Sequence, residues 1–389
     1  MRRLLIFCDG TWNKETTGEL TNVVTSAQVV KPVGDDGIDQ IVCYIEGVGT
    51  TFVISRVETF LAGAFGLGLF DRIADAYRFL VFNYQPGDEI FIFGFSRGAF
   101  TARSLGGLIR KCGIIPKSEV SKIGGAYKFY QRGDVHPDSP LAQQFRAQHS
   151  PNTIMKDLDR TWRRENDYVV PDLPNFAIRY LGVWDTVGEL GVPKYFLLGN
   201  LLNRKYQFHD LDLSSTVIAA RQALAIDEDR LEFEPTLWDN LPTLNQIPGR
   251  AGNYQQKWFP GDHGSVGGGG EIRGLSNATL AWVIEGAMEQ GLSLIDLVMD
   301  NWRQSIDPLA PLHNTAKPPG FVDRYLYRHG PRRGPTDPYG TLGQTTRDRL
   351  AYEAKGLGWQ PYRPAPLNEL INAFPDVLNR SGGDEQHRR

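Results

Sequence analysis

Phe91-Ile92-Phe93-Gly94-Phe95-Ser96-Arg97-Gly98-Ala99-Phe100-Thr101-Ala102-Arg103 decides the fold. Its apolar start, Ile90 to Phe93, reads as a buried strand. Gly94-Phe95-Ser96-Arg97-Gly98 fits G-x-S-x-G, and a helical pattern continues to about Cys112. A strand, this pentapeptide and a helix together predict a sharp turn that holds one serine strained and exposed. The two glycines let neighbouring backbone pass without a Cβ clash. The helix that starts after Ser96 points its N-terminal N–H groups at any oxyanion formed there.

Strands and helices alternate on either side of this unit. Leu4 to Cys8 and Gln40 to Ile45 read as strands, with a short Asn22–Val30 helix between them. Ile73, Ala76, Tyr77, Leu80 and Tyr84 share one face of a helix expected over Phe70 to Tyr84. Ala177 to Val183 and Gln255 to Phe259 read as two further strands, and Ser214 to Ile226 as a helix. The expected fold class is α/β, with a mainly parallel central sheet and helices on both faces. Residues 1–375 read as one catalytic domain with two cap insertions, at about 116–175 and 189–215. An irregular extension is expected from about 305, and a disordered tail over 376–389.

Three polar signatures close three of the predicted strands: Ser96, then Asp185, then His263. Ligands bind at that edge of open α/β sheets, and Ser, Asp, His is the chain order of α/β-hydrolases. A serine hydroxyl is a weak nucleophile until a base takes its proton. Histidine titrates near neutrality and serves as that base, then as the acid. A carboxylate fixes the imidazole tautomer and stabilises the imidazolium. His136, His149, His209, His313, His329 and His387 fall in insertions, irregular segments or the tail. Asp185 could instead cap a helix after its strand, and Asp227 is the alternative acid, read with Glu228 as ordering a loop near the site. The oxyanion hole needs two N–H donors. Arg97 is the first candidate, and Gly10 or Thr11, after the first strand, the second. Asp9 is read as the brace of that loop. Gly267-Gly268-Gly269-Gly270 lacks the G-K-[ST] ending of a phosphate loop and reads as a flexible turn behind His263. Asp9-Gly10-Thr11 does not make a D-x-D phosphatase site, because Phe7 stands where that chemistry needs its nucleophile.

Composition narrows the class. The 389 residues carry a net charge of −3 and are 41% hydrophobic, which supplies a core and gives no basic footprint for nucleic acid. Cys8, Cys43 and Cys112 are isolated and odd in number, so neither a disulfide framework nor a metal site is expected. The opening apolar run stops at Asp9, too short for a signal peptide, and no stretch has the length of a membrane span. Cytoplasmic synthesis is expected, with export open to a route that needs no cleaved signal.

At these residues the chain resembles the type VI secretion phospholipase-effector family of α/β-hydrolases, long catalogued as a domain of unknown function. The resemblance rests on Phe7-Cys8-Asp9-Gly10-Thr11-Trp12-Asn13, Thr21-Asn22-Val23, Gly47-Val48-Gly49-Thr50, Ala76-Tyr77-Arg78-Phe79-Leu80 and Tyr84-Gln85-Pro86-Gly87-Asp88-Glu89-Ile90. It continues through the serine motif, Gly182-Val183-Trp184-Asp185-Thr186-Val187-Gly188, Ala225-Ile226-Asp227-Glu228 and Trp258-Phe259-Pro260-Gly261-Asp262-His263, over roughly residues 3–290. The family often has an Asp two residues after the histidine, where this chain has Ser265. The resemblance implies an α/β-hydrolase fold, a Ser96–Asp185–His263 triad and, for some members, phospholipase A activity; the triad chemistry itself requires no metal and no organic cofactor. If the chain is an effector, a secretion-apparatus or immunity partner is expected.

A serine esterase acting on lipid acyl esters is the resulting expectation, with peripheral membrane contact as a further one. The apolar segments 58–70 and 195–202 could line an acyl groove, meet a membrane or be core. Arg324, Arg328, Arg332 and Arg333 could meet anionic head groups and read rather as a solvated basic face. The alternatives are an esterase for small soluble esters and a binding protein that keeps an inert hydrolase fold.

Overall fold

The computed structural model describes residues 1–10, 19–47, 64–187, 212–315, 327–352 and 360–378. Six parallel strands form its sheet: β1 Arg3–Cys8, β2 Gln40–Ile45, β3 Glu89–Phe95, β4 Ile178–Trp184, β5 Val217–Ala225 and β6 Tyr254–Phe259. They lie in the order β2-β1-β3-β4-β5-β6. The chain winds outward to one side from β1 to β2, then crosses to β3 and proceeds the other way. The order therefore reverses between β1 and β3, and ligand crevices open above such a point.

Alternate residues of the central strands feed two cores. Leu4, Ile6, Ile90 and Ile92 face α2 (Ala64–Asn83) and α3 (Arg97–Cys112), where they meet Ile73, Tyr77, Leu80, Ala102 and Leu105. Leu5, Phe7, Phe91, Phe93 and Phe95 face the other way, with Val23 of α1 (Asn22–Gln28) and Leu280, Val283 and Ile284 of the helix Gly274–Met288. Phe7 and Phe93 are paired across the strands, and their rings stack at 4.7 Å. Burial on both faces explains why these strands read as unbroken apolar runs.

β5 corrects the expectation of a helix over Ser214 to Ile226. Ala219, Ala220, Ala223 and Ala225 favour helix and are poor strand formers in isolation. Pairing to both β4 and β6 overrides that preference, and nearly the whole strand is buried. The corrected strand inserts one more carboxyl end, that of Asp227 and Glu228, between those of Asp185 and His263.

The insertion at 116–175 holds a 3-10 helix, Lys117–Lys122, and three α-helices: α4 Ile123–Tyr130, α5 Pro140–His149 and α6 Asp157–Glu165. A buried ion pair between Arg146 and Asp159 joins the last two. Arg146 also donates to the carbonyls of Lys111 and Pro137, at 3.1 and 2.8 Å, and Ser150 donates to that of Cys112 at 2.7 Å. Lys111 and Cys112 end the 16-residue helix α3, about 24 Å from its Ser96 end. The insertion at 189–215 lies, except for 212–215, outside the described residues, as does 195–202.

Beyond 305 the chain is more regular than expected. Short helices at Gln344–Ala351 and Asn368–Ala373 bring Leu350 and Leu370 into a third apolar cluster with Leu342, Leu367 and Val377, built on Leu224, Ile226 and Trp258. Leu342 bridges to Trp258 and so covers the free edge of β6. Val377 is buried in this cluster, so the tail expected to be disordered from 376 is packed as far as 378. From the apolar stretch 58–70, Leu69 belongs to the core. No helix among the described residues is long and apolar enough to cross a membrane.

Candidate active site

Ser96 separates β3 from α3 with φ 58° and ψ −121°, a backbone region that costs a non-glycine residue strain. Its N–H donates to Trp184 O of β4 at 3.0 Å. The elbow is tight because two glycines flank it. A Cβ on Gly94 would stand 2.3 Å from the Gly98 carbonyl oxygen, and one on Gly98 would stand 2.1 Å from that of Cys8. The end of β1, the elbow and the first turn of α3 are therefore in backbone contact.

Asp185 ends β4 with φ 38° and is fully buried. Its Oδ1 accepts from Ala225 N–H at 3.0 Å, and its Oδ2 lies 2.7 Å from His263 Nδ1. A proton on Nδ1 leaves Nε2 as the basic nitrogen. His263 opens the short helix His263–Gly267, whose N-cap is Asp262. Its backbone N–H donates to Glu228 Oε2 at 3.2 Å. The ring packs 4.6 Å from Phe95, the residue before Ser96, and 5.0 Å from Phe233, which meets it edge-on. Among the described residues no hydrogen bond joins His263 to Ser96 Oγ. The sheet thus brings Asp185 and His263 together, with the imidazole against the elbow.

Arg332 completes the carboxylate's surroundings, and sequence reasoning placed it wrongly on a solvated face. It is buried, with Nη1 2.9 and 3.2 Å from the two Asp185 oxygens and Nη2 3.2 Å from Oδ2. It also donates to Ala225 O at 2.9 Å and to Phe233 O. Burial alone would push the Asp185 carboxyl up. The Arg332 charge, and then the His263 hydrogen bond, outweigh it and hold the group well below the usual carboxylate range. Arg328, by contrast, pairs with Glu232, and Arg324 lies outside the described residues.

Asp227 faces away from the imidazole. Its Oδ2 accepts from Gly261 N–H and from the Tyr362 hydroxyl, both at 2.7 Å, and it has no contact with His263 among the described residues. Glu228 beside it is fixed by Arg230 at 2.7 Å from each oxygen. Sequence reasoning named this pair as loop residues and missed the bond from Glu228 to the histidine backbone.

Asp9 braces its loop as expected. Tyr44 and Thr21 donate their hydroxyls to its Oδ2 at 2.8 and 2.9 Å, and Gly10 N–H donates to its Oδ1 at 2.7 Å. Burial pushes its carboxyl up to about 6 in spite of these donors. As an oxyanion donor Gly10 would first have to leave Asp9; Thr11 lies outside the described residues. Arg97 places its N–H at the start of α3. A small cleft opens at this crossover, lined by Asp9, Glu46, Leu69, Arg72, Arg97 and Thr101, with Asp185 and His263 outside its lining.

The glycine run after His263 is packed rather than loose. A Cβ on Gly267 would fall 1.9 Å from the Phe95 ring, and one on Gly270 2.3 Å from Asn314 O. Ser265, in place of the family's Asp, donates to Leu312 O at 2.8 Å. No group of three or more His, Cys, Asp or Glu that could hold a metal occurs among the described residues.

An uncharacterized protein of Saccharomyces cerevisiae, YEL023C, is 25% identical over 257 residues, 63% of this chain and 34% of its own length. The Tle1 effector, solved bound to the VgrG spike of the type VI secretion system, matches with TM-score 0.35 and 20% identity over 68% of this chain and 50% of that one. An uncharacterized protein from Pseudomonas aeruginosa matches with TM-score 0.41 and 16% identity over 79% and 49%. The chain thus spans between a third and a half of these relatives. The family described as type VI secretion system phospholipase effector Tle1-like, catalytic domain, matches residues 2–286. Its span runs from β1 into the helix Gly274–Met288 and takes in Ser96, Asp185 and His263, so the chain belongs to the Tle1-like phospholipase-effector catalytic-domain family.

Proposed function

We propose that the chain is a serine hydrolase that cleaves the acyl esters of phospholipids. One observation carries the reading: a strained serine at the sheet's carboxyl edge directly follows Phe95, whose ring packs 4.6 Å from a histidine held 2.7 Å from a buried carboxylate. His263 Nε2 takes the Ser96 proton as Oγ attacks the ester carbonyl. The developing oxyanion meets the N–H of Arg97 and a second donor from the loop after β1. His263 then protonates the leaving alcohol, and water, activated by the same imidazole, releases the fatty acid. Asp185 stays ionised throughout and orients the ring. The chemistry calls for no cofactor.

Family membership supports the lipid substrate and a secretion-apparatus partner in general terms. Wild type and Ser96→Ala are to be compared on phospholipid vesicles and on p-nitrophenyl esters of rising chain length. Fatty-acid release from vesicles that vanishes in the variant supports the reading. Release confined to short soluble esters replaces it with a small-ester esterase. A wild type that turns over no ester and takes up no fluorophosphonate at Ser96 replaces it with a binding protein.

A further inference from the structure

Arg332 lies outside the part of the chain that the family match covers, yet it reaches the buried end of the Ser96–His263–Asp185 line. Its guanidinium touches both carboxylate oxygens, and its remaining donors hold Ala225 O at the end of β5 and Phe233 O. Phe233 is the ring that meets His263 edge-on. One side chain thus ties the acid, the neighbouring strand end and one wall of the imidazole's slot. Its Nε is buried without a partner, so the contacts made through Nη1 and Nη2 are what hold this cation here.

We propose that Arg332 is a positioning residue of the hydrolase: it fixes the Asp185 carboxylate in the orientation that holds His263 and tempers the pull of that carboxylate on the imidazolium. The inference rests on the triad reading above. When His263 takes the serine proton, two cations share one carboxylate. Each compensates part of the same charge, so the imidazolium is held less tightly than by a lone Asp and returns its proton more readily to the leaving group. The other charges around the ring do not substitute for this one. Glu228 meets the His263 backbone N–H and is paired with Arg230, whose guanidinium lies over the Phe233 ring at 3.8 Å. Asp262 caps the helix and pairs with His313 at 2.9 Å. Arg332 is the cation in contact with Asp185 itself.

The test measures kcat and KM against pH for wild type, Arg332→Gln and Arg332→Lys, each normalised to the sites titrated by a fluorophosphonate. In Arg332→Gln, kcat per titrated site should fall about 10- to 100-fold with KM little changed. Its acidic limb should move up by about one pH unit, because the unshared carboxylate holds the imidazolium harder. Arg332→Lys keeps the charge and loses the fork, so its limb should stay and its kcat fall about fivefold. A wild-type rate and limb in Arg332→Gln overturn the proposal, as does an equal loss in both variants with neither limb moved, which is what a mere packing prop would give. If Arg332→Gln does not fold, Arg332→Lys decides: a moved limb or an unchanged kcat overturns the proposal. Ser96→Ala run alongside keeps the two readings apart. Turnover retained there removes the triad, whereas its loss together with unaffected Arg332 variants removes only the role of Arg332.

Discussion

Ser96 is strained and, contrary to the exposed serine expected from the sequence, buried; Ser96→Ala keeps the N–H bond to Trp184 and removes a single hydroxyl, so it should cost chemistry and little stability. Ser96→Ala is expected to lower kcat at least ~10⁴-fold with an unfolding midpoint within experimental error of wild type. Near-normal turnover would remove the serine from the mechanism. The two buried carboxyls that end β1 and β4 respond to pH in opposite senses. Asp185 is held low by Arg332 and His263, so its contribution is present above the ordinary value of 3.8 and is lost as pH falls through its folded value. Asp9 is pushed up to about 6 by burial. Between 3.8 and about 6 the folded chain keeps a proton that the unfolded chain has shed, so stability falls as pH rises across that window. Asp9→Asn should therefore gain on wild type from pH 4 to pH 7, by on the order of 2–3 kcal/mol, read from paired denaturant titrations. A stability difference flat across those pH values would show that Asp9 does not titrate there. The sequence named Ser96, Asp185 and His263 because each closes a strand with a chemically distinctive residue. It hid Arg332, whose Gly330-Pro331-Arg332-Arg333-Gly334 context carries no periodicity and whose partners lie far away in the chain.

Among the elements, the elbow was legible because its constraints are local: a strand pattern, two glycines and a helix pattern within one short stretch. Gly98→Ala puts a carbon where the Cys8 carbonyl already stands, and relief requires β1 and α3 to part. The expected loss is about 3 kcal/mol or more in urea unfolding. A loss below about 1 kcal/mol would mean that the two elements are not in backbone contact. β5 was illegible for the converse reason. Its alanines are local helix formers, and only pairing on both edges makes them a strand, which no window along the chain reports. The insertion at 116–175 was legible as helical and not in its placement, since its anchors are single side chains, Arg146 and Ser150, that reach the carbonyls at the end of α3.

For the molecule as a whole, the segment beyond 305 belongs with the sheet. Its leucines seal β6, its Tyr362 holds Asp227, and its Arg332 holds Asp185. Leu367→Ala should lower stability by about 2–5 kcal/mol in a single transition seen alike by fluorescence and circular dichroism. A separate early transition would show the segment to unfold alone. The reach of Arg332 also sets an order of events during synthesis. It comes 236 residues after Ser96 (332 − 96), which a ribosome takes roughly ten to fifty seconds to add. Ser96, Asp185 and His263 are all translated before the guanidinium that holds Asp185 is made. On the reading proposed above, the newborn chain therefore holds its serine, its imidazole and its carboxylate before the cation that fixes that carboxylate exists, and its hydrolase activity would be completed only when Arg332 is translated.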